Sequence, residues 1–507
     1  MDNTKIDKTK NDELRIDKTR IEDHKKFWSH EKNTQPLASF HIGNYFIATH
    51  YHAAGKLLKK GTLITPDMID VDSFLEDYER QYNETLSLNQ SGFWAAEPYA
   101  GIPWLEAFWG AEIVAGEESF TALPFIKEAS DLEKLQFNTE NPWIAKYFEF
   151  VKKLNELSNG RFPVGAPILR GEGDTAGALM GQTEFIYALY EEPHLISEAL
   201  RKIVDSFLFI YEEMYHLIKP FNGGSSMGFY HIWAPGESLW FQDDIGALLS
   251  PALYRKFFLE NERYFCGKYK YTMMHLHPSS FHLLDDILRN ENLKAVEINK
   301  DTGGPSIDQM MGQFRKVLEK DRCLVLWGDL SEVEIQLIYD NLPKERIYFV
   351  FLLPDLAAAG RMRLFLNKEP KPLCSGIFWI ISDSYDLSDY KLLKFDIPCD
   401  LNGNPNNSHS INLNSKSGKT YNHKKLWENE VKNNNNHRPY NRKDYDFYPR
   451  GRIEISHNRA TIYLNPHINK SNFIDEIKRE FGLSTYNIPE VRVIADGSEH
   501  YHCFLDC

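Results

Sequence analysis

Long apolar runs are missing from this chain. The longest, such as Ile347–Leu353 and Ile377–Ile381, fall far short of the roughly 20 residues that a bilayer span requires. The amino terminus is rich in Asp and Lys and carries no apolar signal core, so export is not indicated. Cysteine is scarce: six residues, at 266, 323, 374, 399, 503 and 507, form no C-x-x-C pair and no regular framework, and a reduced, cytoplasmic protein is expected. Basic excess is missing too. The 58 Lys and Arg against 72 Asp and Glu leave a formal charge of −14, which excludes the basic face of a general nucleic-acid binder. No Gly-rich dinucleotide fingerprint and no Walker loop occurs. A small molecule is the expected partner, with neither nucleic acid nor membrane.

What is present is enough apolar material, 42% of 507 residues, for a large core domain with an appendage. Residues 1–35 form a polar arm in which Ile6-Asp-Lys-Thr9 recurs as Ile16-Asp-Lys-Thr19, read as solvated and partly helical. Residues 36–370 alternate strand and helix. Expected strands are Pro36–His41, Phe93–Ala96, Val164–Leu169, Ser225–Ile232, Tyr271–Met274, Cys323–Trp327 and Ile347–Leu352, with a further short one around Glu297. The clearest helix follows Pro193, with Ile196, Leu200, Ile203, Phe207, Ile210 and Met214 on one face. A capping box, Ser331-Glu-Val-Glu334, opens another. About eight such units fit an α/β fold of the (β/α)8 TIM-barrel type better than an open sheet. Residues 371–507 differ in kind, with Asn- and Ser-rich loops, a hairpin at Arg452–Ile455 and Thr461–Leu464, a helix over Ser471–Phe481, and strands at Glu490–Ile494 and Tyr501–Leu505. They read as a small carboxyl-terminal α+β module.

In a parallel barrel the active site lies beyond the carboxyl ends of the strands, and the residues there are polar or aromatic: Trp94, Glu97 and Tyr99, then Arg170 and Asp174, then Tyr230 and His231, then Lys300. The stretch Tyr271-Thr-Met-Met-His-Leu-His277 stands out. Alternate residues of an extended chain share a side, so His275 and His277 aim two imidazoles at one place. Glu297 follows on the next strand. Two imidazoles and a carboxylate make either an open metal site or an acid–base cluster; the alternative is that both histidines cap loops. Trp94, Trp104, Trp233 and Trp240 either wall a pocket for a flat ligand or pack in the core.

Residues 36–355 resemble the uroporphyrinogen decarboxylase superfamily, which includes cobalamin-dependent methyltransferases. The resemblance is carried by Phe241-Gln-Asp-Asp-Ile-Gly-Ala-Leu-Leu-Ser-Pro251, similar to the family's Asp-x-x-Gly-x-Leu-x-Ser-Pro segment, and by Val164-Gly-Ala-Pro-Ile168 with Gly181. Phe93-Trp-Ala-Ala-Glu97 resembles the segment in which the decarboxylases carry an essential Asp, and puts Glu97 in that role. The family's arginine-rich loop is matched by Ser39-Phe-His-Ile-Gly-Asn-Tyr45, without arginine, which implies a substrate other than uroporphyrinogen. The methyltransferase branch has His-x-Cys, a later acid and a final Cys on its last strand. Here His275, His277 and Glu297 fill the first three roles, and Ile347–Leu353 has no Cys. The resemblance thus implies a decarboxylase or corrinoid-linked methyltransferase acting on a carboxylated or methylated small molecule. Glu97 and His275 would be catalytic, and His275, His277 and Glu297 would bind zinc. Trp94, Tyr99, Trp104, Arg170, Asp174, Tyr230, His231 and Lys300 would contact substrate, and a corrinoid protein would give or take the methyl group. The alternative is a barrel without chemistry that serves as a binding or fused scaffold.

Overall fold

The computed structural model describes residues 18–366, apart from 32–34, 44–49, 87, 89 and 129, and past residue 366 the backbones of the strands named below and of the antiparallel pair Asn412–Asn414 and Thr420–Asn422. The chain divides into two compact units, Met1–Arg363 and Leu364–Cys507.

The first unit is built on six parallel strands: β1 (Leu37–Ile42), β2 (Ser238–Gln242), β3 (Tyr271–Leu276), β4 (Ala295–Asn299), β5 (Cys323–Gly328) and β6 (Ile347–Leu353), in the order β1-β6-β5-β4-β3-β2. The sheet is curled into a half-barrel. All six strands are almost entirely buried, which explains why they read as continuous apolar runs rather than alternating ones. The pairings His275–Glu297, Glu297–Val325 and Gln242–His275 put those side chains in one layer on the concave face.

A complete eight-stranded ladder is not what the hydrogen bonds draw. The expected strands at Phe93–Ala96 and Val164–Leu169 are reduced to isolated parallel bridges, Ala96–Val164 and Gly165–Ser226. Backbone bonds still tie these segments to the sheet, from Gly92 N to Ala38 O at 2.9 Å and from Gly171 N to Gln242 O at 2.6 Å. Pro98 and Pro167 lack the N–H that a longer ladder needs. The expected strand Ser225–Ile232 also breaks. Ser225–Met227 turns through Gly228–Tyr230 and returns antiparallel as Ile232–Ala234. Strand β2 reads as loop in the sequence, because only Leu239, Trp240 and Phe241 mark it.

Helices pack between and around these strands. Residues 18–29 are helical (α1), and from Ile21 onward this helix is not solvated: Ile21, His24, Phe27 and Trp28 are buried. Trp28 Nε1 donates to Trp233 O at 2.9 Å, and Phe27 and Trp28 pack on Tyr348 and Tyr271. The arm reads as solvated because its apolar residues are few; in the structure they fall on one helical face. Helix α2 (Val71–Leu86) is followed by α3 (Pro142–Ser158), which starts at the Asn141 cap with Pro at its first turn. Next come α4 (Glu172–Met180) and the long α5 (Pro193–Leu217), with Ile196, Leu200, Ile203 and Phe207 on its buried face. Capping boxes start α6 (Ile307–Glu319) and α7 (Glu332–Asn341), the latter as expected at Ser331 and Glu334. Among the described residues no helix is long and apolar enough to cross a membrane.

The second unit holds a five-stranded sheet in the order Tyr390–Ile397, Cys374–Ser382, Phe447–Ile455, Arg459–Leu464, Glu490–Ile494. Its last pair is parallel and the others antiparallel. The expected hairpin is present as the third and fourth of these strands. The expected helix Ser471–Phe481 and strand Tyr501–Leu505 lie outside the described residues.

Candidate metal centre

Strand β3 ends in Met274-His275-Leu276 and His277 follows in extended backbone, so alternation sends both imidazoles to the same side. Each ring is held through one nitrogen. His275 Nδ1 hydrogen-bonds Glu297 Oε2, and the Tyr230 hydroxyl bridges the pair, 3.0 Å from Nδ1 and 3.1 Å from Oε2. His277 Nδ1 meets Asp301 Oδ1 at 2.6 Å, and Asn299 Nδ2 donates to the same oxygen. A carboxylate only accepts, so in both pairs Nδ1 carries the proton. Both Nε2 atoms are left over, and both face Asp244 Oδ1, at 3.8 Å from His275 and 3.9 Å from His277.

Asp244 opens the short turn after β2. Gln242 Nε2 donates to its Oδ2 at 3.1 Å, which leaves Oδ1 for the imidazoles. The ligating atoms of Asp244, His275 and His277 lie within 4.8 Å of one another, the sole such group of three or more found among the described residues. Burial favours a neutral His275 ring, but the Glu297 carboxylate outweighs it and holds the pKa up at about 9, so a metal ion would bind there by displacing the Nε2 proton. The geometry around the expected set of His275, His277 and Glu297 divides it. Glu297 Oε2 is engaged on the far nitrogen of His275, and the third converging donor is Asp244. Sequence reasoning missed Asp244, although it lies inside the Phe241–Pro251 segment that carries the family resemblance.

Glu97 is buried, and burial pushes its carboxyl up to about 8. It lies against Gly228, whose added Cβ would come within 2.9 Å of Glu97 Cβ. Glu97 and His275 therefore flank the same Gly228–Tyr230 turn, with no direct hydrogen bond between them among the described residues. His231 sits deeper. Its ring stacks on His41 at 4.1 Å between centroids, it adopts φ 57°, and burial lowers its pKa to about 3.

The remaining expected residues separate. Arg170 stands partly exposed, its Nη1 3.0 Å from the buried Glu106 carboxylate, which holds its pKa above the ordinary value. Both Asp174 oxygens accept from the Asp244 turn, 2.9 Å from Asp244 N and 2.7 Å from Ile245 N. The Lys300 ammonium is paired with Glu334 at 2.9 Å and donates to the Asp329 carbonyl. Trp94, Tyr99 and Trp104 are buried among other rings. Trp94 lies on Tyr82 and Phe162; Trp104 donates to Tyr99 O at 3.0 Å and packs among Trp143, Tyr147 and Phe150. The partly exposed rings near the centre are instead Phe229 and Trp327, stacked at 5.0 Å.

No family model matches the chain, and no curated protein does. Among solved structures it is similar to a methyltransferase from Methanosarcina mazei, at 13% identity and a TM-score of 0.49, over 69% of this chain and 98% of that one.

Proposed function

We propose that the chain is a metal-dependent enzyme of the uroporphyrinogen decarboxylase type, nearer the methyltransferase branch, with one zinc ion held by Asp244, His275 and His277. The observation that carries this reading is the convergence of two Nε2 atoms and Oδ1, each ligand being held in place by its own partner. Ligands of a tetrahedral zinc lie about 3.4 Å apart, and the observed 3.8 and 3.9 Å need only a small closure. The Glu297–His275 and Asp301–His277 pairs are the carboxylate–histidine arrangement that orients metal-bound imidazoles. A nitrogen- and oxygen-rich set keeps a zinc ion Lewis acidic, which suits polarising a substrate oxygen better than activating a thiol.

Around it, Glu97, neutral below about pH 8, would supply a proton. Arg170 would hold an anionic end of the substrate, and the Phe229–Trp327 face would take its apolar part. The methyl group would come from or go to a corrinoid protein. Decarboxylation is the second reading, favoured by Glu97, because a buried neutral acid can protonate the carbon that loses carboxylate. We read the segments around Ala96 and Val164 as the two staves that complete a (β/α)8 barrel over residues 36–370, with residues 1–35 as its arm and 371–507 as a separate module.

The test is zinc-dependent demethylation of methylcobalamin with a panel of thiol, amine and phenol acceptors. Turnover that requires zinc and is lost in His275→Ala supports methyl transfer. Metal binding without turnover, together with carbon dioxide release from carboxylated substrates, moves the assignment to decarboxylation. Neither metal nor turnover returns it to a scaffold.

A further inference from the structure

We infer that Asp174 is a positioning residue, a clasp that sets the height of Asp244 above the two imidazoles; this rests on the metal reading above. The three ligands are not equally secured. His275 belongs to β3 and His277 follows it directly, whereas Asp244 is half-exposed and sits on a turn. Gln242 fixes the rotation of its carboxylate, but the backbone position of Asp244 depends on what grips the turn.

That grip comes from the first turn of α4. The Asp174 carboxylate accepts from two successive amides, Asp244 N at 2.9 Å and Ile245 N at 2.7 Å. In return Asp243 Oδ1 accepts from Asp174 N at 2.8 Å, and Gly171 N donates to Gln242 O at 2.6 Å. The two backbones interlock without slack. A Cβ on Gly171 would lie 2.3 Å from Asp243 Oδ2, and one on Gly173 would lie 2.7 Å from Ile245 Cγ2. Two successive amides converging on one carboxyl make a directional grip, and both Asp174 oxygens are thereby engaged. Asp174 therefore acts on the metal through Asp244 rather than on substrate.

The experiment measures zinc affinity of the full chain by competition with a chromophoric chelator, alongside amide exchange at Asp244 and Ile245. Asp174→Asn keeps the shape but sets an NH₂ against one of the two amides. It should weaken zinc binding about 10- to 100-fold and speed exchange at both amides, with far-UV circular dichroism unchanged. Gly173→Ala keeps Asp174 but presses a methyl onto Ile245, and should weaken zinc in the same direction. Wild-type zinc binding that vanishes in His275→Ala, with both clasp variants within twofold of wild type, overturns the clasp and leaves the metal reading intact. A wild type that binds no zinc overturns both.

Discussion

Which nitrogen is left over decides the chemistry at His275 and His277. Their alternation along an extended chain is legible in the sequence, because a period of two specifies side. It does not specify distance, so Glu297 reads as a ligand although it ends on Nδ1 of His275. Asp244 is illegible as a ligand for a different reason: the contact depends on where a turn returns after β2. Replacing Glu297 by Gln should leave the fold intact and weaken zinc about tenfold or more, measured by chelator competition; an unchanged affinity would deny Glu297 its orienting role. Glu97 makes a stability prediction. Its folded pKa of about 8 lies above the value near 4.5 of a free carboxyl, so the folded chain holds a proton that the unfolded chain releases. Stability is therefore lost as pH rises from 4.5 to 8. Glu97→Gln removes that loss, so its unfolding free energy from urea titration should gain on wild type between pH 5 and pH 8, by about 3 kcal/mol at pH 7. A pH-independent difference would show that the carboxyl is already charged.

Helix α1 is the element whose role is least legible. The apolar residues of the arm are few, and only the fold shows that Ile21, Phe27 and Trp28 land on one buried face with His24. Trp28→Ala should cost about 3–5 kcal/mol in urea unfolding, whereas a solvated arm would lose less than 1 kcal/mol, about the effect of an ordinary surface change. His24 gives α1 a pH signature. It is enclosed by Phe93, Trp233 and Tyr348, its Nδ1 lies 2.8 Å from Arg20 O, and burial lowers its pKa to about 4. The unfolded chain takes up this proton near pH 6.5, so stability contributed by the neutral ring falls as pH drops from 6.5 towards 4. His24→Gln should remove about 1.4 kcal/mol per pH unit from the acid-side slope. An unchanged slope would show that His24 does not drive acid unfolding. Helices with explicit caps, such as α6 and α7, are legible to within a residue or two, because their starts are written in local hydrogen-bonding residues.

For the whole molecule, the parallel α/β plan is legible from the rhythm of strands and helices, and the closed eight-stranded ladder is not. Two of its expected strands meet their neighbours through single bridges, one shortly followed by Pro98 and the other interrupted by Pro167, and β2 is too short to show a period. All three ligands lie in the first compact unit, so a chain ending at residue 366 should bind zinc as tightly as the full chain. Weaker binding would make the second unit part of the site. The central claim is that Asp244, His275 and His277 together hold one divalent ion. Its most direct measurement is the zinc content of the purified full chain after dialysis, beside that of His275→Ala, His277→Ala and Asp244→Ala. One zinc per wild-type chain and a marked loss in each variant is the predicted result; a metal-free wild type, or variants that keep their zinc, would contradict it.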